Sequence, residues 1–133
     1  MANKKVFRGI RTAVGELWHE RLVKVSLGVA FACFLLSLGF IFWRLWPEMM
    51  AEPSVPLHYN IHFGVDRVGS WWMIFSGPVA QMTIIFLNFC LAVGIWKRDR
   101  VLSLFLVGAS TIAGIFIFIA TLFLVLINVS YYG

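Results

Sequence analysis

Three stretches of this chain carry no charged residue. Val25–Trp43, Trp71–Trp96 and Val101–Gly133 run for 19, 26 and 33 residues without Asp, Glu, Lys or Arg. A bilayer core about 30 Å thick is crossed by about 20 apolar residues of helix. The pattern therefore predicts membrane-spanning helices over about 22–44, 71–96 and 101–129. Ahead of the first, Phe7, Ile10, Val14, Leu17 and Trp18 recur at helical spacing, while Lys4, Arg8, Arg11 and Glu16 lie off that stripe. This predicts an interfacial amphipathic helix over about 4–21.

Between the first two spans, in the loop 45–70, the period changes. Leu57, Tyr59, Ile61, Phe63 and Val65 alternate with His58, Asn60, His62, Gly64 and Asp66. A period of two predicts extended backbone with one apolar and one polar edge. Pro53 and Pro56 disfavour a helix start just before it. Asn60 and Asp66 suit turns that bond backbone amides. Gly64 and Gly69 are expected to take backbone angles that other residues resist. Arg67 is expected to pair with Glu48 or Glu52. These types together predict a hairpin-like cap over the helix ends. In the second span, Ser76-Gly77-Pro78 leaves two starts open: Pro78, or a kinked segment capped by Ser70.

Composition removes the soluble alternative. The chain is 61% hydrophobic and 13% charged, against about 45–50% and 25% in soluble domains. The expected fold class is an all-α integral membrane protein, one membrane domain over 1–133. The first apolar run is longer than the about 7–15 residues of a signal peptide, and no small-x-small cleavage site follows it, so it is expected to remain as an anchor.

Charge adds an orientation. Six Lys or Arg lie in Met1–Lys24 and three in Lys97–Arg100, against Arg44 and Arg67 in the intervening loop. The positive-inside rule then expects a cytoplasmic N-terminus, with the 45–70 loop and the C-terminus outside the cell membrane. Trp18 and Trp96 are expected at the inner boundary. Trp43, Trp46, Trp71 and Trp72 are expected at the outer one, with Tyr131 and Tyr132 at the exit of the third span. The net charge of +5 is mostly this topological signal, so no nucleic-acid partner is implied; the lipid bilayer is the expected partner. Small residues one turn apart, Gly28 with Ala32, Ala109 with Ala113 and Ser110 with Gly114, are expected to let helices approach. Asn88, Ser110 and Thr111 share a depth suited to an interhelix hydrogen bond. No ionisable group lies deep in any span, which argues against pumps and proton-coupled transport. Cys33 and Cys90 read as small apolar fillers.

Candidate chemistry is confined to the loop. His58, His62 and Asp66 are spaced by four, which suits zinc on a helix face. On extended backbone the two histidines stand about 13 Å apart, at about 3.3 Å per residue, too far for one ion. A dyad of acid and histidine has only Ser54 and Ser70 as neighbouring nucleophiles. The expectation is therefore no cofactor, no metal and no catalysis, with His58, His62 and Asp66 the weak metal candidates.

Pro56-Leu57-His58-Tyr59-Asn60 followed by Asp66-Arg67-Val68-Gly69-Ser70 resembles the signature of a bacterial domain of unknown function. That domain forms the front of the Sdp immunity protein family, whose pattern is Pro-x-His-aromatic-Asn, then Gly, then Asp-Arg-aromatic-Gly-Ser-Lys. Gly64 lies one position late, Val68 replaces an aromatic and Trp71 a lysine. The resemblance spans about Leu35–Leu91. It implies a bacterial inner-membrane protein whose signature positions are His58, Asn60, Asp66 and Gly69, and among whose relatives are proteins protecting a cell from a secreted toxin. Two roles follow as expectations. One is a binding, sensing or immunity-like module that meets a peptide or membrane protein through His58, Asn60, Asp66, Arg67 and Gly69. The other is an accessory subunit of a larger membrane complex. A metal-dependent membrane enzyme or transporter is the least supported.

Overall fold

In the computed structural model, residues 2–51 and 54–132 are described, without the side chains of residues 2–6, 48, 49, 51, 131 and 132. The order is α1 (Ala2–His19), α2 (Arg21–Ala51), β1 (Ser54–Asn60), β2 (Gly64–Ser70), a 3-10 turn (Trp71–Phe75), α3 (Ser76–Ile95) and α4 (Arg100–Tyr132). Three segments, Arg21–Pro47, Trp71–Ile95 and Arg100–Ser130, are long and apolar enough to cross a membrane. Only 22%, 17% and 22% of their most apolar windows are buried. Surface that apolar is compatible with lipid, not water. The two-stranded sheet between α2 and α3 means that the fold is not purely α.

Hydrogen bonds fix how the helices run. Thr111 Oγ1 donates to the Ser26 carbonyl at 2.9 Å, and Gly114 closes on Ala30. Residue numbers rise together along α2 and α4, so these helices are parallel. Ser103 Oγ donates to the Ala92 carbonyl at 3.0 Å, Asn88 Nδ2 to Ser110 Oγ at 3.1 Å, and Gly77 faces Thr121. Numbers fall along α3 as they rise along α4, so this pair is antiparallel. The expected Asn88–Ser110 bond is formed, and Thr111 bonds α2 instead.

The buried face of α4 is Ser103, Val107, Ser110, Gly114, Thr121, Val125 and Asn128. Steps of three, four and seven put these residues on one stripe. In lipid, small and polar residues belong inside, because packing and hydrogen bonds drive helix association. Each such bond is worth about 0.6 kcal/mol, so together they set register more than stability. Gly28 departs from the expectation. A Cβ built on it meets nothing within 4 Å, and Ala32 is exposed. The contact face of α2 is instead Val23, Ala30, Cys33, Ser37, Ile41 and Leu45.

Helix boundaries have local causes. Asp99 Oδ1 accepts the Leu102 N–H at 2.9 Å, an N-cap for α4. Pro78 sits in the first turn of α3, where a missing N–H costs nothing. The 3-10 turn leads into it, so the second span begins at Trp71. Ser70 is extended and its side chain makes no capping bond. Pro47 does not end α2, which continues to Ala51; the connector is therefore shorter than 45–70.

At the basic end, α1 packs on α2 and α3. Ala13 and Leu17 join Val23, Ala92, Trp96 and Val107 in a core cluster. Trp96 is only 1% exposed. Its Nε1 donates to Glu16 Oε2 at 3.0 Å, and the Arg100 guanidinium lies 5.2 Å from its ring centroid. Trp96 thus clamps α1 rather than meeting lipid headgroups. Phe7, Ile10 and Trp18 of the apolar stripe stay exposed. The residues Lys4, Lys5, Tyr131 and Tyr132 fall outside the described side chains.

Candidate functional site: the hairpin cleft

β1 and β2 pair antiparallel, from Ser54 opposite Ser70 to Asn60 opposite Gly64. The alternation read in the sequence does not continue through the tip, because Ile61-His62-Phe63 is a turn. The Phe63 N–H donates to the Asn60 carbonyl at 3.3 Å, and the His62 N–H donates to Asn60 Oδ1 at 2.9 Å. Asn60 thereby builds the turn, as its residue type suggests. Gly64 leaves it at φ 75°, a left-handed conformation that costs an L-residue about 1–2 kcal/mol. Gly64→Ala is expected to destabilise the hairpin by about that much. Hydrogen exchange of the Asn60–Val65 amides checks this; unchanged protection contradicts it.

Gly69 is needed for a different reason. Its φ is not left-handed, but a Cβ there would collide with Leu57 Cδ1 and come within 2.9 Å of Met73 Sδ. The strand must pass close to both side chains.

Two irregularities in the ladder flank His58. Bulges of this kind re-aim side chains. Here His58 and Asp66 meet, with Nδ1 and Oδ1 2.6 Å apart. An ionised Asp66 accepts from a protonated Nδ1, which leaves Nε2 as the acceptor nitrogen of the ring. The pair is well exposed, with 63% and 35% of the two side chains accessible, so it is worth at most about 1 kcal/mol. His62 does not join it. Among the described residues no group of three His, Cys, Asp or Glu gathers for a metal. The expected partners of Arg67, Glu48 and Glu52, lie outside the described side chains.

The pair lines an open cleft of ≈ 620 Å³ with Leu57, Arg67, Met73, Ser76 and Leu124. Its lining mixes polar and apolar side chains. Arg67 offers a planar fork suited to carboxylates, and Ser76 a hydroxyl. Met73, Ser76 and Leu124 escaped the sequence reading of the site; the 3-10 turn and the start of α3 supply the first two, and α4 brings Leu124 from far along the chain. The root of the hairpin is firm. Val55 is buried with Ile41, Leu45, Ile74 and Val125, and Asn128 Nδ2 donates to the Pro56 carbonyl at 2.7 Å. The signal that could have found Asn128 is a lone amide late in a 33-residue uncharged run. The tip, by contrast, presents Ile61 and Phe63, each 83% exposed.

Asp66→Ala and Gly69→Val are expected to lower the yield of folded protein more than His62→Ala. Asp66→Ala loses an ion pair of up to about 1 kcal/mol. Gly69→Val overpacks by about 1–2 kcal/mol, since the blocking atoms are ends of flexible side chains. Among the described residues His62 is held through its backbone N–H alone. Fluorescence size-exclusion of the three variants decides; equal yields contradict this account of the hairpin.

Together the three helices and this cleft define a small multi-span membrane protein with a β-hairpin cap. No family model matches the chain, and neither does any curated protein or solved structure.

Proposed function

We propose that the protein is a membrane-anchored binding module whose hairpin and cleft engage a peptide or an exposed segment of a neighbouring membrane protein outside the cytoplasm. The observation that carries this reading is the contrast within one hairpin. Its root is buried and bonded to α4, while its tip holds two large apolar side chains in the open. A rigid base under an exposed apolar tip is the arrangement of a contact surface, where a few such anchors dominate affinity. In the cleft below it, Arg67 and the Ser76 hydroxyl suit the carboxylates and carbonyls of a peptide, and His58 Nε2 suits an N–H donor.

The excess of basic residues at the opposite end supports an outward-facing hairpin. The signature positions support an immunity-like role of the kind the resemblance implies. His58 and Asp66 pair, Asn60 builds the turn, and Gly69 lets the strand pass Leu57. No catalytic role is part of this reading.

A photoreactive residue at position 62 or 67, irradiated in native membranes, tests it. A discrete crosslinked protein or peptide, lost when Phe63 and Ile61 are changed to Ser, is the expected result. Crosslinks to lipid and to the protein itself alone overturn it. A large stable complex on blue-native gels that survives the loss of both tip residues would favour the accessory-subunit reading instead.

A further inference from the structure

A second cavity lies at the other end of the bundle. α4 packs along both α2 and α3, which contact each other far less. The groove between them measures ≈ 560 Å³, and its lining includes Trp18, Lys24, Gly28, Phe31, Met82 and Phe89. From Lys24 to Phe31 and from Met82 to Phe89 it follows about 10 Å of each helix, at about 1.5 Å per residue. The open space over Gly28 is its floor.

We propose that this groove binds one anionic phospholipid, with an acyl chain between α2 and α3 and the phosphodiester at Lys24 and Trp18. Any lipid-facing groove is filled by acyl chains; the mouth is what selects among headgroups. Lys24 is exposed, and among the described residues no carboxylate pairs with it. Trp18 is 52% exposed, and indole donors favour the headgroup level. The acids nearby do not cancel the charge. Glu16 is committed to Trp96 and Arg100, which leaves Glu20 against Arg21 and Lys24. Basic mouths between membrane helices recognise acidic headgroups in this way. The inference does not rest on the hairpin's role.

Native mass spectrometry of the intact protein, titrated with dioleoylphosphatidylglycerol or dioleoylphosphatidylcholine, tests it. One retained phosphatidylglycerol is expected, with about fivefold preference over phosphatidylcholine. Lys24→Gln should reduce that preference to near unity, whereas Lys97→Gln, which lies outside the groove, should leave it unchanged. Gly28→Leu obstructs the middle of the groove and should abolish the adduct without lowering thermal stability, since open space surrounds the position and Leu is the better helix former. Equal retention of the two lipids by the unaltered protein would overturn the proposal. So would an adduct that survives Gly28→Leu, or a protein dimer in place of the lipid adduct.

Discussion

Gly114→Leu is expected to cost about 3 kcal/mol or more, at the upper end for overpacking. Gly114 is where all three spans meet. A Cβ placed there lies 3.0 Å from Gln81 Nε2, 3.5 Å from Ala30 Cα and 3.7 Å from the Ala30 carbonyl oxygen. Gln81 could swing away, but its Nε2 donates to that same Ala30 carbonyl at 2.9 Å. The remaining obstacles are α2 backbone, which yields only if the helix moves. Leucine adds three carbons beyond the Cβ, directed into that backbone. Gly114→Ala should be far milder, because the gain in helix propensity of about 1 kcal/mol offsets part of the crowding. Reversible unfolding in mixed micelles separates the two. A Leu variant as stable as the parent would show that α2 and α4 do not close at this point.

Asn128→Ala is expected to cost about 2 kcal/mol and to release the hairpin selectively. Asn128 is fully buried and donates to the Pro56 and Leu124 carbonyls, at 2.7 and 2.9 Å. Removing it strands the Pro56 carbonyl in an apolar setting, where an unsatisfied group costs about 1–3 kcal/mol. Asn128 Oδ1 has no partner among the described residues, so its removal recovers a little. Hydrogen exchange should rise across Ser54–Ser70 with α3 and the lower part of α4 unchanged. If the hairpin stays protected, burial of Val55 alone holds it down.

The spans were legible because charge-free length is a direct imprint of bilayer thickness. The cap was legible in type: proline, asparagine and glycine around alternating residues point to a hairpin whatever surrounds it. The place of its turn was less so, since Ile61 and Phe63 are apolar and keep the alternation going through the tip. A dyad of His58 with Asp66, eight residues apart, was therefore one open pairing among several. Small-residue spacing misled at Gly28 and Ala32, where the same pattern fits a packed seam and an open groove. Trp96 looked like an interfacial anchor until Glu16, eighty positions earlier, proved to accept the hydrogen bond of its indole N–H. Such distant partners leave no local trace.

The third span is the one that joins the other two. Until α4 leaves the ribosome, α2 and α3 share few contacts, and the carbonyls of Ser26 and Ala92 have not yet met Thr111 and Ser103. Assembly must therefore wait until α4 has been made, and a chain cut short before residue 100 would sit in the bilayer as two loosely tethered rods, a natural substrate for membrane quality control.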